Sequence, residues 1–189
     1  MARAFSQIVA GLPGAEGPVC DRRGQLYMVV PDEGRVVAID EGGRVREIAR
    51  TGGIPAGLQV DRAGELWCAD MRRGILRISP NGAVTPVVER FQGAPIRGCN
   101  DCVFDRFGNL YFTAPAGSAA DRPVGELFCL TAAGALHRLD GGYRFCNGIA
   151  VSADGRQLFV AETYTKTVWR FEIGGEGTVG QKTAWARLP

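Results

Sequence analysis

The chain has 189 residues, 46% of them hydrophobic, enough for one domain with a real core and too apolar for a disordered chain. Its 22 basic and 20 acidic residues leave a net charge of +2, which gives no support for a nucleic-acid-binding surface. No stretch approaches the ~18 apolar residues of a membrane span, and MARAFSQIVAGLPG lacks the apolar run of a secretory leader, so no membrane contact and a cytoplasmic location are expected.

In chain order, FSQIVA (Phe5 to Ala10) reads as an outer strand placed before the first inner one. A full unit follows. Gly17 to Cys20 reads as a short strand, then a DRRG turn, a strand over Gln25 to Val30, a PDEG turn, a strand over Arg35 to Asp40, an EGG turn and a strand over Arg44 to Ile48. The apolar runs are short, rich in β-branched and aromatic residues, and bounded by Gly, Pro and Asp, so each reads as strand and none as helix.

The unit recurs. DRRGQLYMVV, DRAGELWCAD, DRFGNLYFTA and SADGRQLFVA are variants of one segment, and their first residues, Asp21, Asp61, Asp105 and Ser152, stand 40, 44 and 47 residues apart. Four antiparallel strands per period of about 40–45 residues is the pattern of a propeller blade. The chain is therefore expected to be all-β, a single β-propeller domain over residues 1–189 with about four four-stranded blades. The third unit is longer because APAGSAADRPVG is inserted between its second and third strands. The fourth has its own outer strand at Thr183 to Leu188, which leaves FSQIVA unpartnered and predicts further blades beyond Pro189.

A register-locked repeat puts equivalent positions in equivalent places. Five residues before each unit stand Glu16, Ala56, Asn100 and Asn147. In a propeller this position opens the inner strand and faces the central channel, so three oxygen-bearing side chains are expected to share one centre. Carboxylate and amide oxygens suit Ca2+ or a similar hard cation better than zinc. Such a metal would polarise a carbonyl and bind the attacking water.

EGPVCD around Glu16, CNDCVFDRFGNLYFTAP around Asn100 and FCNGIAVSADGRQLFVAETYTKTVWRFE around Asn147 resemble three motifs of the senescence-marker-protein/gluconolactonase family, especially its drug-responsive lactonase branch. The resemblance implies a six-bladed propeller, of which four blades are present, and a metal-dependent lactonase-type hydrolase acting on a small-molecule lactone or related ester. It implies Glu16, Asn100 and Asn147 as metal ligands, with Ca2+ first and Zn2+, Mn2+ or Mg2+ as other choices. It also implies Arg97, Asn100 and Asp121 as substrate contacts, Asp121 as an acidic lid residue. Arg97 lies three residues before Asn100, where the family arginine lies two before. The family's general-base aspartate belongs to a later motif of the type DGMxxD, which residues 163–189 do not match, so it is expected beyond Pro189 and the catalytic residue of this chain is unassigned. A non-enzymatic propeller used as a binding scaffold is the alternative.

Other features read as structure. Cys99 and Cys102 form a lone CxxC with no second pair and are expected to pack, and all six cysteines are expected as free thiols. His137, the single histidine, is expected on the surface, which argues against a Ser-His-Asp hydrolase. GEGTVG (Gly175 to Gly180) opens no helix and reads as a hairpin loop. Glu162 and Tyr164 fall near the channel end of the fourth blade and are candidates to touch substrate.

Overall fold

The computed structural model describes residues 7–96, 98–115 and 117–189. Four sheets of four antiparallel strands follow one another, each in simple sequential order. Blade 1 is β1 (Glu16–Cys20), β2 (Leu26–Val30), β3 (Arg35–Ile39) and β4 (Val45–Arg50). Blade 2 is β5 (Pro55–Val60), β6 (Leu66–Asp70), β7 (Gly74–Ile78) and β8 (Val84–Val88). A small hairpin, β9 (Arg90–Phe91) and β10 (Ala94–Pro95), leads to blade 3, made of β11 (Cys102–Phe104), β12 (Leu110–Ala114), β13 (Gly125–Leu130) and β14 (Leu136–Tyr143). Blade 4 is β15 (Cys146–Val151), β16 (Gln157–Glu162), β17 (Thr167–Glu172) and β18 (Thr183–Arg187). The strand order and the inserted loop between β12 and β13 match the sequence expectation.

The turn chemistry explains the strand ends. Asp21 Oδ1 accepts the backbone N–H groups of Arg23 and Gln25 at 2.8 and 2.9 Å. Asp61 and Asp105 repeat the arrangement at the same step. Each is an Asx-type turn that satisfies two donors and reverses the chain between the first and second strands. The PDEG turn is a short 3-10 segment over Pro31–Glu33, closed by Gly34 at φ +64°.

The core lies between blades. Strand residues alternate faces, so one face of a sheet meets the preceding blade and the other the following one. In β12, Tyr111 joins a cluster with Leu158 and Phe171 of blade 4, whereas Leu110 and Phe112 join Ile75 and Val88 of blade 2. Both faces of β12 are therefore buried throughout Leu110–Ala114. The same alternation sends Val29 toward Leu58 and Leu76 of blade 2, and Val30 with Val37 to the other face of blade 1.

That other face is covered by residues 9–15, and here the expectation of an outer strand is corrected. Gln7 to Ala10 are not strand, while residues 5 and 6 lie outside the described residues. Val9 and Leu12 pack on Val30, Val37 and Ile39 from an irregular segment. Two left-handed glycines, Gly11 and Gly14, break the run, so side-chain burial holds the segment without a ladder of backbone bonds.

Inner strands pack in succession, β1 with β5, β5 with β11 and β11 with β15. No contact of comparable extent joins β15 to β1 among the described residues, so the four blades form an arc.

Candidate functional site

The start of each inner strand is irregular in a repeated way. The pairing register shifts between Glu16 and Val19 in β1, between Pro55 and Gly57 in β5, and between Cys146 and Ile149 in β15. Bulges re-aim side chains, and these three fall at the phase the sequence singles out. In blade 3 the equivalent stretch stands just before β11, where Asn100 donates its backbone N–H to Thr113 and Thr113 donates its own to Asp101.

Close backbone approach brings the four segments edge to edge. A Cβ on Gly17 would stand 2.7 Å from the Ala56 carbonyl oxygen. One on Gly57 would stand 2.7 Å from Asp101 Oδ1 and 2.8 Å from the Asn100 carbonyl oxygen. One on Gly148 would stand 3.8 Å from Asp101 Oδ2. Thr113 Oγ1 donates to the Asn147 carbonyl at 2.7 Å and ties blade 3 to blade 4 at the same level. Glu16, Ala56, Asn100 and Asn147 thus open neighbouring segments at one end of the arc.

The position one residue later holds glycine in blades 1, 2 and 4 and Asp101 in blade 3. Asp101 is a site residue that the sequence reading passed over. Its Oδ1 accepts the Cys102 N–H at 2.8 Å and its Oδ2 accepts the Ile149 N–H of blade 4 at 3.1 Å. Burial pushes its carboxyl above the ordinary range, and those two N–H groups oppose the shift. Glu16 is exposed at the start of β1, and partial desolvation raises it, with the nearby Asp101 charge raising it further. No basic side chain pairs with either carboxylate among the described residues. Two carboxylates held together without a counter-charge call for a proton or a cation.

Asn147 donates Nδ2 to Thr163 Oγ1 at 3.3 Å, which leaves Oδ1 as an uncommitted acceptor. Asn100 makes no side-chain hydrogen bond among the described residues. Glu16, Asn100 and Asn147, which open neighbouring segments beside Asp101, offer only oxygen donors, the kind a hard divalent cation takes. Among the described residues no three His, Cys, Asp or Glu side chains converge on one point.

The remaining candidates fall differently. Arg97 lies outside the described residues. Asp121 is exposed in a turn closed by backbone bonds between Ala119 and Arg122, and no hydrogen bond or ion pair ties it to the other candidates. The inserted loop is nevertheless anchored beside the site, because Ser118 Oγ accepts the Phe145 N–H at 2.9 Å. Glu162 is corrected from substrate contact to structural cap: it is buried, accepting from the Arg144 N–H and from Trp169 Nε1. Asp70 does the same work in blade 2, accepting from the Ile54, Arg72 and Arg73 N–H groups. Tyr164 is exposed, edge-on to Phe145. Cys99, Cys102 and Cys146 are buried free thiols, and burial pushes Cys146 up to about 12. They pack beneath the site as neutral groups. His137 is exposed, and GEGTVG is the loop between β17 and β18.

Residues 14–189 match the family described as the SMP-30/Gluconolactonase/LRE-like region. A diisopropyl-fluorophosphatase from Loligo vulgaris is 38% identical over 98% of this chain and 68% of its own length. A gluconolactonase from Zymomonas mobilis is 24% identical over 93% of this chain and 57% of its own. Among solved structures, a gluconolactonase from Xanthomonas campestris aligns with a TM-score of 0.81 at 24% identity, covering 93% of this chain and 63% of that one. A calcium-binding protein, regucalcin, from Agrobacterium tumefaciens aligns at 0.74 and 19% identity, covering 90% and 58%. The chain thus spans between about half and two thirds of the proteins it resembles.

Proposed function

We propose, since the chain belongs to the SMP-30/Gluconolactonase/LRE-like family, that it carries the cation-binding part of a hydrolytic site for a small-molecule lactone or related ester. Glu16, Asn100 and Asn147 are its cation ligands, with Ca2+ the first choice. The observation that carries this reading is the Glu16–Asp101 pair, two carboxylates raised above the ordinary range, without a basic partner among the described residues, at the segment starts that also carry Asn100 and Asn147. When bound, such a cation neutralises the pair and polarises a substrate carbonyl.

The chain's own residues supply the frame. Asp101 is held by two backbone N–H groups, that of Cys102 in its own blade and that of Ile149 in blade 4, and so ties β11 to β15 beside the site. Thr163 turns the Asn147 amide so that its oxygen is the free end. Glu16 supplies the unpaired negative charge. Asn100 contacts cation or substrate. Arg97 and Asp121 are further substrate contacts by resemblance alone. No residue of the chain is assigned to the proton transfer. The curated relatives named for lactonase chemistry support the substrate class. Free thiols support a cytoplasmic setting, and no helix among the described residues is long and apolar enough to cross a membrane.

The test is acid release from δ-gluconolactone and from simple γ-lactones at constant pH, with and without added Ca2+. The reading expects cation-dependent release above the spontaneous rate that Asn147→Ala removes. Release that ignores both cation and variant would contradict it, and no release at any cation level would favour the binding-scaffold reading.

A further inference from the structure

The turn between the third and fourth strands has a left-handed glycine in every blade: Gly43, Gly82, Gly134 and Gly177. In three blades this glycine abuts the chain before it. A Cβ on Gly43 would stand 2.5 Å from the Ile8 carbonyl oxygen, one on Gly82 would collide with the Ile48 carbonyl oxygen, and one on Gly177 would stand 2.6 Å from Cys129 Sγ. Around a Cβ on Gly134 nothing lies within 4 Å among the described residues, its chain neighbours aside. The junction between blades 2 and 3 is therefore open where the others are closed.

The opening is a groove of about 640 Å³, ample for a small ligand. It lies at the ends of β5 and β11 away from Ala56 and Asn100, so it is separate from the oxygen-rich site. Trp67 and Phe104 form its floor, edge to face with centroids 5.4 Å apart. Phe107 stands at the rim, 63% exposed, and Val87 of β8 forms the facing wall at 38%. These are large apolar surfaces left wet beside a ready cavity.

The polar groups decide what fits. Both lining carboxylates are spent on their own turns. Asp61 accepts from two backbone N–H groups and from Trp67 Nε1. Asp105 accepts from two backbone N–H groups, Asn109 Nδ2 and Tyr111 Oη. The uncommitted charge is Arg62, which uses Nη2 on the Arg106 carbonyl and keeps its other nitrogens free among the described residues. A planar guanidinium beside aromatic faces suits a flat anion.

We propose that this groove binds a planar aromatic carboxylate, its ring against Trp67, Phe104 and Phe107 and its carboxylate on Arg62. The test is calorimetric titration of the chain with 2-naphthoate and, separately, with neutral 2-naphthol. Saturable one-to-one binding of 2-naphthoate is expected. Ala132→Phe, from the exposed turn on one wall, or Val87→Phe, from the other, should abolish it while the melting transition stays cooperative. Arg62→Gln should weaken 2-naphthoate about tenfold, the loss of a charge-assisted hydrogen bond, and leave 2-naphthol unchanged. No saturable heat with the wild type, unaltered affinity in both groove-filling variants, or equal effects of Arg62→Gln on the two probes would each overturn the proposal.

Discussion

The two ends of the inner strands obey opposite rules. At the turn end, Asp21, Asp61 and Asp105 do one job in three blades, accepting the N–H groups two and four residues on. In blade 4, Ser152 replaces the aspartate and the work is shared, Ser152 Oγ and Asp154 Oδ1 both accepting from Arg156. At the other end, the four equivalent positions carry Glu, Ala, Asn and Asn, and the next ones Gly, Gly, Asp and Gly. A structural position tolerates one solution repeated; a site needs different groups around one point. Where a repeat keeps its residue it is holding the fold, and where it breaks while the backbone stays in register it is available for chemistry.

Breaking the turn end should cost the most stability. Asp105→Ala removes a buried carboxylate that satisfies two backbone donors, the Asn109 amide and the Tyr111 hydroxyl, and urea unfolding should show a loss of about 3 kcal/mol. Asp21→Ala, in the more open first turn, should cost about 1 kcal/mol.

At the site end the sensitive residue is a glycine. Gly57→Ala places a methyl against Asp101 Oδ1 and the Asn100 carbonyl, and overpacking of this kind should cost about 2 kcal/mol together with cation affinity. Gly64→Ala, at the turn end, meets nothing within 4 Å and strains only its φ of +85°, so about 1 kcal/mol is expected with cation affinity intact. Equal effects of the two on cation binding would erase the distinction between the ends.

The smallest effect is a pH dependence. Glu16 and Asp101 hold their protons more tightly folded than unfolded, so protonation favours the folded state. Without divalent cation, wild type should gain stability relative to Asp101→Asn as pH falls from neutrality toward the ordinary carboxylate range. Melting curves of both proteins in a chelator across that window measure it, and a constant gap would contradict the carboxylate pairing.

Much of this was legible in the residues. Asx turns and left-handed glycines are local, so DRRG, PDEG and EGG mark strand ends without any tertiary knowledge. The phase of Glu16, Asn100 and Asn147 was legible because a repeat fixes register. Asp101 was not, although the glycines at its equivalents were the available signal: Gly57 and Gly148 leave the room that its carboxylate occupies. Glu162 misled because its place beside the site says nothing of direction, and only the Arg144 N–H and Trp169 indole reveal that it faces inward. Gln7 to Ala10 misled because Val9 is partly buried by packing on blade 1, and alternation cannot tell such burial from strand pairing. The open junction beside Gly134 depends on what blade 2 fails to place there, which no local pattern records.

Calorimetric titration of Ca2+ into the chain and into Glu16→Gln tests the site most directly. The account predicts saturable binding by the wild type and at least a hundredfold weaker binding by the variant, about the effect of losing the one free charged ligand of a bound cation (roughly 3 kcal/mol). Equal affinity in the two proteins would contradict it.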